Sequence, residues 1–179
     1  TKHEGNQAMK RFVCLVVILT TLIGCGRRLP PDCREVIDEA DFGRFEIREG
    51  GVAYDPDFSI EWFRCSIGER FVNGRCLGNP LFLYWEDGVA TVAAMNEKVA
   101  GTWRLPSLKE LASLKVKECG NPSINTNVFP SIQVDNYWAK DKSPHHGFRC
   151  GTYTYSGATS CRLFDTLERP LLIVRDVER

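Results

Sequence analysis

Charge of one sign is the first thing this sequence lacks: 23 lysines and arginines stand against 23 aspartates and glutamates. That balance excludes a basic field for nucleic acid and a polybasic patch for an anionic membrane. Long apolar runs are missing as well. The longest, Phe12 to Ile23, is about a dozen residues, whereas crossing a bilayer takes ~20. No Gly-x-Ser-x-Gly, no phosphate-cradling glycine loop and no His-Glu-x-x-His occurs, which removes several common catalytic signatures. There is no Cys-x-x-Cys pair either. The only close histidines, His145 and His146, are adjacent, a spacing at which two side chains do not converge on one zinc ion. Repeats and low-complexity tracts are also absent. No catalytic residue, metal ligand or cofactor site is left to name.

What is present begins with an address. Met9 is followed by Lys10 and Arg11, then by the apolar run, then by Leu22-Ile23-Gly24-Cys25. A positive start, an apolar middle and a small-residue end make an export signal. Its ending resembles the lipobox of bacterial lipoproteins, in which the cysteine after the cleaved bond carries a diacylglycerol. On that resemblance residues 1–8 are an upstream extension, 9–24 a signal peptide, and 25–41 a tether lipidated at Cys25. The lipid is then the membrane contact, and Gly26 behind Cys25 resembles lipoproteins sorted to an outer membrane. The expected location is the bacterial cell envelope. About 155 residues remain after cleavage, enough for one domain with a sizeable core. Loss of Lys2, Lys10, Arg11 and Glu4 leaves 20 bases and 22 acids.

The cysteines point to the same compartment. Cys14 leaves with the signal and Cys25 is taken by the lipid, so six remain. An even number in an exported chain favours a disulfide framework. Cys65 and Cys76 flank Asn73-Gly74, a tight-turn dipeptide. Cys150 and Cys161 flank Ser156-Gly157, a similar signal. Two such local pairs would leave Cys33 with Cys119.

Phe42 to Glu49 alternates apolar and charged residues, the period of a half-buried strand. Val52–Tyr54 and Ile60–Cys65 read as further strands joined through Asp55-Pro56-Asp57. Asp87 is placed to cap a helix running to about Val99, with Val89, Val92, Ala93 and Val99 on its apolar face. Ser107 and Glu110 form a capping-box pattern, followed by Leu108, Leu111 and Leu114 at spacing three. Beyond them come candidate strands at Tyr137–Ala139, Thr152–Tyr155, Cys161–Phe164 and Leu171–Val174. The last is continuously apolar and reads as a central strand covered on both faces. Trp62, Trp85, Trp103 and Trp138 sit in or beside these elements and are expected in the core. The pattern predicts one α+β domain over residues 42–179, with two short helices in its middle.

Several segments together resemble the Lcl C-terminal domain family, named for a bacterial collagen-like adhesin. They are Trp62-Phe63-Arg64-Cys65-Ser66-Ile67-Gly68, Asn73-Gly74-Arg75-Cys76-Leu77-Gly78, Trp103-Arg104-Leu105-Pro106-Ser107-Leu108-Lys109-Glu110-Leu111 and Ile124-Asn125-Thr126-Asn127-Val128-Phe129-Pro130. Tyr137-Trp138-Ala139 and Leu171-Leu172-Ile173-Val174-Arg175-Asp176 continue the match, which covers about Val52 to the end. The resemblance implies a C-type-lectin-like fold with mixed and antiparallel strands, two short helices, long loops and a ligand surface in the irregular region. It also implies an exported, non-enzymatic binding module for a glycan or an envelope protein. The family's founding member is associated with sulfated glycans, but the near-neutral charge here supplies no basic cluster for them. Calcium-binding triplets are not recognisable. After Trp138 the chain departs from the family pattern, running through Ala139-Lys140-Asp141-Lys142-Ser143-Pro144-His145-His146 and adding the Cys150 and Cys161 pair.

The segment Tyr137 to Tyr155, which holds that divergent stretch, is the expected contact surface, with Tyr137, Trp138, His145, His146, Tyr153 and Tyr155 as its candidate ligand-binding residues. Tyrosines stack on sugar rings and anchor protein partners. Two other functions are compatible with an exported domain. One is a structural subunit of an envelope assembly. The other is an enzyme of the formylglycine-generating type, which needs two free thiols among Cys119, Cys150 and Cys161.

Overall fold

A computed structural model describes residues 30–99, 101–163 and 166–177. The expected signal peptide, Cys14, Cys25, Gly26 and Phe164 lie outside the described residues. Nine strands and three helices are formed within them: α1 Cys33–Val36, β1 Glu46–Arg48, β2 Val52–Asp55, β3 Ile60–Phe63, β4 Glu69–Val72, β5 Arg75–Gly78, α2 Trp85–Asn96, α3 Leu108–Ser113, β6 Asn136–Lys142, β7 Phe148–Tyr153, β8 Ala158–Leu163 and β9 Val174–Asp176. They make a four-stranded sheet in the order β1-β2-β3-β9, a β4-β5 hairpin and a three-stranded sheet β6-β7-β8. All the strand pairs are antiparallel. The domain is α+β and is stapled by three disulfides.

Pleating sorts the core into two clusters. Ala53, Trp62 and Val174 enter the first, with Leu111, Phe129 and Tyr137, while their chain neighbours Val52 and Ile173 enter the second, with Trp85, Trp103 and Trp138. Successive side chains of a strand point to opposite faces, so the four-stranded sheet is apolar on both sides. The four tryptophans are all buried, as expected. The run Leu171–Val174 threads between the clusters, Leu171 and Ile173 into one, Leu172 and Val174 into the other. Its pairing differs from a central strand, because only Val174 of the four joins the sheet. Val174 faces Trp62 of β3 on one side and an isolated bridge to Arg104 on the other. The three residues before it are buried irregular chain, held by bonds from Phe63 N–H to Ile173 O and from Ile67 N–H to Leu171 O.

Helix α2 corrects a second expectation. It begins at Trp85, with Tyr84 in the cap position and no side-chain cap, so Asp87 lies inside the first turn. Its buried face is Trp85, Gly88 and Val92, whereas Val89, Ala93 and Val99 are solvent-exposed. Indole area outweighs valine methyls, and the Trp85 Nε1–H also reaches Ala139 O at 2.8 Å. Gly88 permits the close approach: a Cβ there would stand 3.0 Å from Leu171 Cδ2. Helix α3 has the expected capping box, with Leu111 and Leu114 buried. Glu110 of that box is part-buried, which raises its carboxyl pKa. Burial is the largest single influence, but the bonds from Arg104 and Ser107 together outweigh it and hold the carboxyl below the ordinary value.

Residues 32–41, expected as part of a tether, are packed against the domain instead. Asp32 bridges to Gly120 and Cys33 is bonded to Cys119. The Asn127 side-chain amide donates to the carbonyls of Asp38 and Asp41, and that of Asn125 also donates to Asp41 O. Residues 32–41 therefore belong to the domain, and the single turn α1 is a helix the sequence pattern did not announce. The other two disulfides join Cys65 to Cys76 and Cys150 to Cys161. Asn73 and Gly74 both take positive φ in the tight turn between β4 and β5, as two-residue hairpin loops require.

Candidate ligand-binding site

The three-stranded sheet shows one face to the core and one partly to solvent. Opposite residues in its ladder are Asn136 with Tyr153 and Tyr153 with Ala158, so these three share a face. Ser160 and Arg162 follow on that face at the strand period of two. With Thr159 and Arg169 they line a concavity of about 320 Å³. The opposite face carries Tyr137, Ala139 and Cys150 into the first core cluster.

Second-layer bonds fix the walls. The Arg169 Nη1 donates to Asp135 Oδ1 at 2.7 Å, and the Asn136 N–H donates to the same oxygen. Buried Thr154 locks Asp135 in turn, accepting from its N–H and donating to Gln133 O. Arg169 is held by reciprocal backbone bonds with Leu83. Tyr153 is 38% exposed and stacks on Tyr155, ring centroids 5.8 Å apart and 19° from parallel. Among the described residues the side chains of Asn136, Thr159, Ser160 and Arg162 make no hydrogen bond or ion pair. Amide, hydroxyl and guanidinium groups thus converge, unpartnered, beside an exposed aromatic face. Such a set can exchange hydrogen bonds with a polyhydroxylated ligand while its ring stacks on tyrosine.

The structure divides the expected contact surface. Tyr137 and Trp138 are fully buried, so neither can touch a ligand. The Tyr137 hydroxyl pairs with Ser66 Oγ at 3.1 Å and accepts from the Gln133 N–H, and burial pushes its pKa up to about 12. Trp138 Nε1–H donates to Leu83 O. Their apolar area is worth more inside than at a surface. His145 and His146 are exposed, but in the loop between β6 and β7. That loop lies a whole strand away from Tyr153, roughly 20 Å at ~3.4 Å per residue. Tyr153 and Tyr155 alone stand together. Asn136, Thr159, Ser160, Arg162 and Arg169 were not anticipated. The alternation Ala158-x-Ser160-x-Arg162 on a cysteine-flanked hairpin is a signal for two of them, Ser160 and Arg162, whereas nothing local marks Arg169.

A second concavity, about 510 Å³, lies against α2 and is lined chiefly by Val52, Phe63, Ile67, Met95, Trp103 and Ile173. Two of its three charged rim groups, Glu69 and Arg175, are already engaged, and Glu49 is the third. Arg175 Nε donates to Glu61 and the guanidinium covers Trp103, while Glu69 accepts from Ser66 N–H and Ser131 Oγ. It offers apolar shape with little to orient a ligand. All six described cysteines are in disulfides, so they supply no thiol nucleophile. Among the described residues no group of three or more histidine, cysteine, aspartate or glutamate side chains is placed to hold a metal ion.

The family model described as the Lcl C-terminal domain matches residues 51–173, a span that includes every residue of the polar concavity. No curated protein and no solved structure matches the chain.

Proposed function

This chain belongs to the Lcl C-terminal domain family, and we propose that it is a non-enzymatic binding module, anchored in the bacterial envelope through lipid on Cys25, whose polar concavity receives a saccharide. The observation that carries this reading is the convergence of unpartnered Asn136, Thr159, Ser160 and Arg162 around the exposed ring of Tyr153. Saccharides present hydroxyls in several directions and a patch of C–H groups on one ring face. The first need donors and acceptors that are not already satisfied, and the second needs a flat aromatic surface. A near-neutral domain selects by such short-range contacts rather than by long-range attraction.

Screening the protein on a glycan array and titrating the best saccharide tests this. Tyr153→Ala should weaken binding about tenfold, the effect of removing an anchoring aromatic. Its unfolding free energy should fall by no more than ~1.5 kcal/mol, the worth of the lost stack on Tyr155, so the variant stays folded for the titration. An array with no saccharide bound, or a Tyr153→Ala variant that binds as well as the parent, would sink the reading.

The anchor rests on the lipobox resemblance at Leu22-Ile23-Gly24-Cys25 and is checked separately. Mass spectrometry of protein extracted from membranes should find the chain beginning at Cys25 with a diacylglycerol attached. A Cys25→Ser variant should leave the membrane fraction. A mature protein that keeps Lys10 and Arg11, or carries no acyl group, rules the anchor out.

A further inference from the structure

Edge strands with free backbone groups are templates for pairing with another chain, and most proteins shorten, cover or bulge them. The edges of this domain differ sharply in that respect. Strand β1 has three residues, and the outer side of β9 meets the bridge from Arg104. The outer side of β6 is occupied, with Trp138 N–H on Pro170 O and Lys140 N–H on Pro106 O. Its pairing with β7 also slips between Trp138 and Lys142. The four-residue strands β4 and β5 are also open along most of their outer sides, but strand β8 is the longest open edge among the described residues. It holds six residues in unbroken register with β7, and its outer edge makes no backbone hydrogen bond to any described residue. It contains no proline, and the disulfide from Cys161 to its direct partner Cys150 clamps it in the extended form. In antiparallel pairing half of its N–H and C=O groups face outward.

We infer that β8 accepts an extended segment of another protein as a fourth strand, and that this segment carries acidic side chains at alternate positions. Alternation follows from the pleat. Side chains of an added strand that fall on the face of Ser160 and Arg162 meet a guanidinium with no ion-pair partner among the described residues. Those on the other face meet Thr159 and Leu163, the latter 58% exposed. An incoming strand that alternates carboxylate with β-branched residues satisfies both faces. A basic strand would set like charge against Arg162. The backbone ladder supplies the attraction and Arg162 the choice of partner. This goes beyond the saccharide reading: the added strand takes the outer backbone edge of β8, although Ser160 and Arg162 also line the concavity.

The probes are two fluorescein-labelled heptapeptides, one alternating valine with aspartate and one alternating valine with lysine, added to the full chain in detergent. Fluorescence polarisation should show the aspartate peptide binding at least ~10-fold more tightly than the lysine peptide. Arg162→Glu, an exposed change, should invert that order. N-methylation of alternate amides in the aspartate peptide should abolish binding, since it removes ladder hydrogen bonds while keeping the charge. Amide hydrogen exchange should slow in β8 when the peptide is present. No binding, binding indifferent to N-methylation, or an order unchanged by Arg162→Glu overturns the inference. A chain that sediments as a dimer with β8 amides protected before peptide is added overturns it too, in favour of self-pairing. Saccharide titration is read separately, so either proposal can fail while the other stands.

Discussion

Replacing Cys33 and Cys119 together by alanine should lower the unfolding free energy by ~4–5 kcal/mol, the largest loss from removing any one of the three cross-links. The bond closes a loop 86 residues long in sequence, whereas the Cys65–Cys76 and Cys150–Cys161 bonds each span 11. Loop-closure entropy grows with the logarithm of length, so each shorter bond should be worth only ~3 kcal/mol. Alanine is the replacement of choice because both sulfurs are buried and a serine hydroxyl would lack a partner there. For a domain of this size the double variant should melt roughly 10–15 °C lower. Circular dichroism on heating and in urea, run beside the Cys65→Ala/Cys76→Ala pair, gives the comparison. A long-loop variant that loses less than the hairpin variant would show that the segment from Asp32 to Asp41 is not part of the cooperative unit.

That same segment marks where the sequence stops being legible. Its bonds are made by Asn125 and Asn127, more than eighty residues away, and no local pattern in 32–41 foretells them. Features governed by neighbours in sequence were readable. The Ser107 and Glu110 box depends on atoms within one helical turn, and the alternation around β1 to β3 on the two-residue pleat. Helix α2 misled because hydropathy ranks Val89, Val92, Ala93 and Val99 as a face, yet the helix turns to bury Trp85 and seat Gly88 on Leu171. Tertiary contact decides rotation, and Leu171 is far off in the chain. Disulfide pairing was readable for the two hairpins, while the bond from Cys33 to Cys119 followed only on condition that both local pairs form, and the structure supplies it.

The site was legible only in part, for a related reason. Aromatics in a divergent loop region invite a surface reading, but the sequence does not say which face of a strand is covered. Tyr137 and Tyr153 are cross-strand neighbours by one register step, and the pleat sends the first inward and the second outward. The choice between them is made by what packs below, Ser66 and the first core cluster. Arg169 enters the concavity from a segment held on Leu83, an arrangement that exists only once both sheets are built.

Arg44→Met should cost ~3–5 kcal/mol, although Arg44 itself is partly exposed. Its guanidinium grips Asp55 through two bonds, Nε at 2.9 Å and Nη2 at 2.8 Å, and the Asp55 side chain is fully buried. The remaining donors reach Ser113, carbonyl at 3.0 Å and hydroxyl at 2.9 Å. One side chain therefore joins the approach to β1, the end of β2 and the end of α3. Methionine keeps the apolar stem and deletes the fork, leaving a buried carboxylate with only the Asp57 N–H at 3.1 Å. Lysine should not rescue, since a point charge cannot supply four directed bonds. The double variant Arg44→Met/Asp55→Leu should lose less than the single, because it removes the stranded charge along with its partner. The exposed pair Arg104 with Asp176 serves as the contrast. The Asp176 side chain is 72% accessible, so Asp176→Ala should cost less than ~1 kcal/mol. Urea midpoints with unchanged slopes would place these losses in the folded state. An Arg44→Met protein within ~1 kcal/mol of the parent would mean that water reaches Asp55, and that the clamp on β1, β2 and α3 lies in packing rather than in charge.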